Sequence, residues 1–358
     1  MTRKTESKPE RELVPGQSEA LLRELHLVSR DGKLHADSLR KLKQVNHLAR
    51  LLKPALEDVL ARHPQAQILD AGAGNAYLGF VLYELFLREG EAVLWNVEPR
   101  RELVARGEER ARKLGYTRMR FLEATLEQAA APEKSPAAQP ATTTSDASAP
   151  APSPLDATAA PDAGTPPAPA PNPLDAAAAP HAETPSASRG EAARSKLPSL
   201  PSRLHLVTAL HACDTATDDA LLIALRRKAD HIALVPCCQA EVAAQLKELS
   251  AEANRKHAKS PAEPWNALWE HPLHRREAGA QLTNVLRALL LEAHGYAVTV
   301  TELTGWEHSL KNELILGRRV GGEHRGAKEK LRALLEASGV RPKIVRDLGM
   351  AAPLPAAS

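Results

Sequence analysis

Five side chains able to do acid–base, nucleophilic or metal chemistry follow two apolar, strand-like segments. His211, Cys213 and Asp214 follow RLHLVTAL, and Cys237 and Cys238 follow DHIALVP. A histidine at such a place acts as a base or orients a substrate, unless it is only a hydrogen-bonded loop residue. If the two segments form neighbouring strands, their ends lie about 5 Å apart in the sheet direction. We therefore expect these residues to cluster at one edge of a sheet.

The adjacent cysteines leave several chemistries open. A zinc site is disfavoured because adjacent cysteines chelate poorly and the usual spacing of two to four residues is absent. A redox pair of adjacent cysteines would be strained, and a nucleophile needs a lowered pKa. Packing of both as small apolar groups is the favoured interpretation. We expect no metal and keep His211, Asp214 and Cys237 as candidate catalytic residues.

The segment ILDAGAGNAYLG predicts a ligand-binding loop between a strand and a helix. Asp70 ends the strand, and Gly72 and Gly74 let the backbone approach a ligand at a helix N-terminus. A dinucleotide fingerprint requires a third glycine where Tyr77 stands, so the spacing disfavours a nicotinamide cofactor and favours an adenosyl ligand. Glu98 ends the next strand, about 20 residues on, where a carboxylate accepts ribose hydroxyls. The alternative is that Glu98 only precedes a helix start.

The elements that must position these residues alternate between strands and helices. This alternation predicts an α/β, Rossmann-like, mostly parallel sheet of seven strands with helices on both faces. The last two strands, YAVTVTEL and NELILGRRV, are close enough in sequence for a terminal antiparallel hairpin. Ala124 and Thr125 follow the third strand and complete the candidate cofactor contacts.

Composition divides the chain into segments. Residues 1–17 are charged and are predicted to be a disordered tail, and 18–63 are predicted to be helical. A first helix opens at Ser18, and after a turn at Asp31–Gly32 residues 38–63 form either one amphipathic helix or a pair broken at Pro54. One Rossmann-like domain comprises 64–128 and 199–320. Residues 129–198 are rich in Ala and Pro and carry an imperfect repeat, so we expect a disordered insert. Residues 321–358 are predicted to be a C-terminal helix and tail.

The totals exclude several classes of protein. Three cysteines in 358 residues argue against a disulfide framework. The first residues resemble no secretory leader and no apolar run is long enough to span a membrane, so a cytoplasmic location is expected. Aromatic residues make up 3% of the chain, too few for a base-stacking platform. The net charge of +3 permits a nucleic-acid partner.

Taken together, LDAGAGNAYLG, NVEP, LHACDTATDDAL, LVPCC and HSLKNELIL resemble one branch of the class I S-adenosylmethionine-dependent methyltransferases. That branch includes the eukaryotic tRNA ribose 2′-O-methyltransferases, with their H-x-C-G-x-x-T-D and P-C-C-H patterns. The likeness covers roughly residues 39–127 and 203–318. The pairing of H-x-C with P-C-C is more specific than the glycine loop.

The resemblance implies a cofactor, S-adenosyl-L-methionine, and an acceptor. It implies cofactor contacts from Asp70, Gly72, Gly74 and Glu98. It places these residues around the methyl-transfer site: His211, Cys213, Thr217, Asp218, Pro236, Cys237 and Cys238. The chain departs from the pattern at Ala76, Asp214 and Gln239, which replace a glycine, a glycine and a histidine, and it lacks the zinc-binding accessory segments.

We therefore expect a methyltransferase whose acceptor is RNA, reached through the basic residues Arg275, Arg276, Lys41 and Lys43. The alternatives are a protein or small-molecule acceptor, and a non-catalytic binding module with a methyltransferase-like fold.

Overall fold

A computed structural model describes residues 14–28, 36–131, 199–210, 212–236, 239–256, 270–303, 313–322 and 324–350. All of them belong to one compact unit formed by Met1–Pro132 and Lys196–Ser358. The predicted catalytic residues His211 and Cys237 lie outside the described residues, as does Cys238. So does nearly all of the predicted insert.

Seven strands form a single sheet in the order β3-β2-β1-β4-β5-β7-β6. Strands β1 to β5 are parallel, whereas β7 is antiparallel to both β5 and β6. This confirms the predicted Rossmann-like fold with its terminal antiparallel pair. The strands are β1 Gln67–Ala71, β2 Val93–Glu98, β3 Met119–Glu123, β4 Leu206–Leu210, β5 His231–Val235, β6 Tyr296–Glu302 and β7 Glu313–Arg319.

Strands from either side of the predicted insert pair directly. Asp70 of β1 is in register with Asn96 of β2 on one side and with Thr208 of β4 on the other. The order of the strands reverses at β1, since β2 and β3 lie to one side of it and β4 and β5 to the other. In open α/β sheets, ligands bind outside the carboxyl ends of the strands at such a reversal.

Helices cover the sheet. They are α1 Glu19–Glu24, α2 Ala36–Arg62, α3 Tyr77–Leu82, α4 Arg101–Leu114, α5 Leu126–Ala130, α6 Thr215–Arg226, α7 Glu241–Lys256, α8 Pro272–Ala293, α9 Arg325–Ser338 and α10 Lys343–Asp347. A π-helical turn, Tyr83–Leu87, continues α3. Helix α2 runs through Pro54 without a break. Of the two alternatives for residues 38–63, the structure has the single helix, and the separate first helix is α1.

Alternation along the strands divides the core into two clusters, one on each face. Ile68 packs with the N-terminal helices, whereas its neighbour Leu69 packs with the helices from the second half of the chain. In β4, Leu206 likewise belongs to the first of these clusters and its neighbour Val207 to the second. Successive strand residues point to opposite faces, so apolar residues at both positions indicate a sheet buried on both sides.

Two boundaries differ from the sequence-based ones. Helix α5 extends to Ala130, inside the segment expected to be an insert. The C-terminal region contains two helices, not one, and Leu331, Ile344 and Val345 are buried in the main core. Helix α10 has only five residues, too short for a recognisable apolar period. No helix within the described ranges is long and apolar enough to cross a membrane.

Candidate functional site

The glycine loop between β1 and α3 adopts the backbone that its sequence predicts. Gly72 and Gly74 have φ of 69° and 58°, in the left-handed region that glycine enters without a steric penalty. Ala76 also has a positive φ, 55°. This conformation costs roughly 1–2 kcal/mol for a residue with a Cβ. The Ala73 N–H donates to the Val97 carbonyl at 2.9 Å and so ties the loop to β2.

Two predicted cofactor residues meet at this loop. The carboxylate of Glu98 accepts a hydrogen bond from the Gly74 N–H at 2.9 Å through Oε2. Its Oε1 accepts from the Arg100 Nε at 2.6 Å and from the Arg100 backbone N–H at 3.2 Å. The Glu98 side chain is 4% exposed, whereas that of Arg100 is 60% exposed. Glu98 is therefore held rigidly against the loop, and Arg100 covers it from the solvent side.

Asp70 supports the loop from below. Its Oδ2 accepts from the Gly79 N–H in the first turn of α3 at 3.2 Å, and its Oδ1 accepts from the Thr208 hydroxyl at 3.4 Å. Burial raises the pKa of Asp70 to about 7, against the lowering effect of these two hydrogen bonds. The carboxyl group thus joins β1, β4 and α3 at the point where the strand order reverses.

A cavity of about 230 Å³ lies over this loop. Helix α2 supplies one wall, and the Lys41 ammonium stands 5.9 Å from the centre of the Tyr77 ring, in a cation–π contact. The walls from α2 and Arg100 were not predicted as cofactor contacts, because α2 is distant in sequence and Arg100 resembles an ordinary surface residue. The lining residues are Lys41, Gln44, Val45, Asp70, Gly72, Ala73, Gly74, Asn75, Tyr77, Leu78, Arg100 and Leu210.

Three predicted cofactor contacts, Glu98, Ala124 and Thr125, are not among the residues that line this cavity. Ala124 and Thr125 lie at the end of the neighbouring strand, β3. The Ala124 N–H donates to the Glu98 carbonyl at 3.3 Å. Thr125 caps α5, because its hydroxyl accepts from the Gln128 N–H while the Gln128 side chain accepts from the Thr125 N–H. Their contact with a cofactor stays a prediction.

Asp214 performs a structural task that its sequence position did not reveal. Its Oδ1 accepts from the backbone N–H of Ala240 at 2.9 Å and from that of Glu241 at 3.2 Å. It thereby satisfies the first turn of α7. Its φ of 49° is unusual for a residue with a side chain. The cap gives this aspartate a structural role at a position whose φ favours glycine. These contacts favour a positioning role for Asp214 over a catalytic one.

The strand ends beside the predicted catalytic residues are neighbours. Leu210 of β4 is in register with Val235 of β5, so the two segments that follow these strands leave the sheet side by side. The roles of His211 and Cys237, which directly follow this region, stay predictions.

Thr217 and Asp218, implied to border the methyl-transfer site, are buried at the start of α6. The Thr217 hydroxyl donates to the Ala212 carbonyl at 2.5 Å, and Asp218 forms an ion pair with Arg287 at 2.7 Å. Both side chains therefore stabilise the turn after β4 from within.

One group of possible metal ligands occurs among the described residues, at the opposite, amino-terminal edge of the sheet. His63, His205 and Asp230 bring ligand atoms within 4.8 Å of one another. However, the His205 Nδ1 accepts from the Gln67 N–H at 2.9 Å, so its other nitrogen carries the proton when the ring is neutral. Asp230 also pairs with Arg203 at 2.9 Å. This geometry suits an ion-pair cluster better than a cation site.

The parallel sheet with its reversal at β1, the left-handed glycine loop and the carboxylate at the end of β2 are features typical of α/β folds that bind nucleotide-type ligands. A family model described as "Methyltransferase domain" matches residues 40–245, which is more than half of the chain. The chain belongs to this family of methyltransferase domains. Membership confirms the predicted class, a class I methyltransferase that uses S-adenosylmethionine.

Solved structures with similar folds include several methyltransferases. The S-adenosylhomocysteine-bound methyltransferase PaMTH1 of Podospora anserina is 12% identical, with 86% of this chain and 90% of that chain covered and a TM-score of 0.39. A geranyl diphosphate methyltransferase in complex with S-adenosylmethionine is 11% identical, with 88% and 96% covered and a TM-score of 0.34. The precorrin-6Y C5,15-methyltransferase of Geobacter metallireducens is 12% identical, with 75% and 87% covered and a TM-score of 0.31. No curated protein sequence matches the chain.

Proposed function

We propose that the glycine-loop cavity binds S-adenosylmethionine and that the chain transfers its methyl group to an acceptor held at the carboxyl ends of β4 and β5. The observation that carries this proposal is the buried Glu98 carboxylate bound to the Gly74 N–H at the reversal of strand order.

The residues present fit an adenosyl ligand. Glu98 is an acceptor at the strand end where ribose hydroxyls are read, and the left-handed glycines keep side chains out of the path of the ligand. Arg100 occupies Oε1 of Glu98, but its side chain is mostly exposed and moves aside at small cost. When bound, the cofactor supplies a methyl group that the sulfonium already activates.

The protein contributes mainly position. Transfer requires the acceptor atom at about 3–3.5 Å from the methyl carbon and in line with it. Asp214 and Asp218 fix the turn after β4 that would present this acceptor. We assign proton removal to His211, which directly follows β4, on the strength of its position in the sequence and the resemblance.

RNA is the acceptor that the resemblance to the tRNA ribose 2′-O-methyltransferases implies. The prediction of an RNA acceptor relied on a basic surface, and two of its arginines are engaged in contacts within the protein. Arg276 is paired with Glu277 at 3.0 Å, and Arg275 donates to the Glu270 carbonyl. The described contacts therefore give RNA less support than the resemblance does.

Calorimetry with S-adenosylhomocysteine tests cofactor binding in the full chain. Because Glu98 is a charged acceptor, Glu98→Gln should weaken binding by about tenfold or more. Glu102→Gln, an exposed change in the first turn of α4, serves as the control and should bind normally. Absence of binding to the unaltered chain would contradict the proposal.

Methyl transfer is tested with tritiated S-adenosylmethionine and fractionated cell extract. We expect the tritiated methyl group to be transferred to an acceptor in the extract, either a macromolecule or a small molecule. Ribonuclease treatment then tells whether the labelled acceptor is RNA. Cofactor binding without any label transfer would instead favour the non-catalytic binding module.

A further inference from the structure

A second cavity, of about 410 Å³, opens at the same edge of the sheet as the glycine loop. It lies where β5 and β6 end and β7 begins, with α8 as its wall. Only β4 separates β1 from β5. At the usual spacing of neighbouring strands, the ends of β1 and β5 are about 10 Å apart. The lining residues are Pro236, Gln239, Arg276, Glu277, Ala280, Gln281, Asn284, Val300, Thr301, Glu302 and Glu313.

A buried arginine fixes the orientation of the polar groups beneath this cavity. The Arg287 side chain is 1% exposed, and its Nε donates to Asp218 at 2.7 Å while Nη2 donates to the Asp214 carbonyl at 2.9 Å. Its Nη1 donates to the Asn284 side chain at 3.3 Å. Because a guanidinium has donors only, the Asn284 atom facing it must be the carbonyl oxygen.

The orientation of Asn284 determines what its neighbours present to the cavity. Its Nδ2 donates to the Glu313 carboxylate at 2.8 Å, and its carbonyl accepts from the Gln239 Nε2 at 3.2 Å. The Gln239 amide nitrogen is thereby turned inward. Its carbonyl oxygen receives no hydrogen bond from the described residues, although Gln239 is only 8% exposed. Because Gln239 lines the cavity, this oxygen is available to accept a hydrogen bond from a ligand there.

The charges on the walls are mainly negative. Among the described lining residues are the carboxylates of Glu277, Glu302 and Glu313 and one cation, Arg276, which is paired with Glu277. Glu302 is exposed and has no ion-pair partner within the described ranges. Three carboxylates against one guanidinium leave two negative charges in excess.

We propose that this cavity binds a cationic nitrogen group of the methyl acceptor, an amine or a guanidinium; this inference rests on the proposed function. Such a group donates hydrogen bonds to the Gln239 carbonyl and to Glu313 and is attracted by Glu302. The pocket thereby selects acceptors that carry a positive charge close to the transfer position.

The same chemistry opposes a polyanion. A phosphate offers acceptors to a cavity that already presents acceptors, and it is repelled by the excess carboxylates. RNA docked across this edge would place phosphates against Glu302, the least compensated charge. The two acceptor classes therefore predict opposite effects when Glu302 is neutralised.

The test uses the full chain saturated with S-adenosylhomocysteine, whose binding is measured first. The probes are spermidine as a free amine, the peptide Gly-Arg-Gly acetylated and amidated at its ends, its neutral analogue Gly-citrulline-Gly blocked in the same way, and tRNA. We expect spermidine or Gly-Arg-Gly to bind and the citrulline peptide to bind much more weakly. A preference for spermidine indicates a small-molecule acceptor, and a preference for the arginine peptide indicates a protein.

Variants locate the binding site. Glu302→Gln combined with Glu313→Gln should weaken binding of the cationic probe by about tenfold or more, with unchanged affinity for S-adenosylhomocysteine. Glu302→Gln alone, an exposed change that keeps the Asn284 contact, should show part of this loss even if the double variant does not fold. Glu292→Gln, on α8 but outside the cavity, is the control and should bind normally.

Two results would overturn the inference: equal binding of the arginine and citrulline peptides, or binding of tRNA that strengthens in Glu302→Gln while the cationic probes do not bind. If S-adenosylhomocysteine itself fails to bind, the proposed function fails instead, so the two failures are distinguishable.

Discussion

Asp70 is a single carboxyl group whose protonation depends on folding. An unfolded aspartate titrates near 4, whereas burial raises the pKa of Asp70 to about 7. Between these values the folded chain binds more protons than the unfolded chain, so its free energy of unfolding falls as pH rises from about 4 to 7.

Asp70→Asn should remove this dependence because an amide does not titrate. Relative to the variant, the unaltered chain should lose on the order of 2–4 kcal/mol between pH 4 and pH 8. Urea unfolding of the ligand-free protein at several pH values measures this difference. Glu108→Gln, an exposed change on α4, should leave the dependence as it is. Parallel pH profiles for Asp70→Asn and the unaltered chain would show that Asp70 titrates normally.

Two substitutions of Asp214 distinguish a positioning role for this residue from a catalytic one. Asp214→Asn keeps a side-chain oxygen for the N–H groups of Ala240 and Glu241, so stability and turnover should stay close to normal. Asp214→Ala loses the cap of α7 and should be destabilised by about 1 kcal/mol. Thermal unfolding and methyl-transfer rates measure both effects. A large loss of turnover in Asp214→Asn, with normal stability, would restore the catalytic assignment made from the sequence.

Helix α3 lies unusually close to the sheet, and a glycine permits this. A Cβ built on Gly79 would lie 2.4 Å from the Asn96 Oδ1 and 3.2 Å from the Asp70 Oδ2. Gly79→Ala should therefore displace α3, cost about 1–3 kcal/mol and weaken S-adenosylhomocysteine binding, because the glycine loop leads into this helix. Gly90→Ala is the control, since nothing lies within 4 Å of its Cβ. Equal unfolding midpoints for the two variants would contradict the close approach.

Elements proved easier to predict than contacts between them. The alternation of apolar segments predicts the seven strands and their helices, and Gly72, Gly74 and Glu98 follow from residue type and spacing. The buried position of Arg287 could not be predicted in this way, because an arginine in a helix normally lies on the solvated face. Asn284 precedes it by one turn of α8, but Asp214 and Asp218 belong to the start of α6, so their meeting with Arg287 depends on tertiary packing. For the same reason, the cavity between α8 and the terminal strands left no pattern in the sequence.

At the scale of the whole molecule, the question is whether the segment between α5 and β4 is needed for folding. The sheet joins the two halves of the chain through pairing of β1 with β4, and the described residues on either side of 133–195 complete it. We predict that replacing 133–195 by a flexible linker of about ten residues leaves the fold intact. Such a linker spans up to about 33 Å, enough to cross from β3 to β4. The shorter loop should stabilise the fold by about 1–2 kcal/mol through reduced closure entropy.

Thermal unfolding and S-adenosylhomocysteine calorimetry on this deletion provide the measurement. An unfolding midpoint equal to or above that of the full chain, with unchanged affinity, is expected because the described residues that line the two cavities all lie outside 133–195. A matched linker replacing residues 324–350 should unfold the protein, since α9 and α10 bury Leu331 and Ile344 in the core. Loss of cofactor binding in the first deletion, with the midpoint preserved, would assign the removed segment a part in the site.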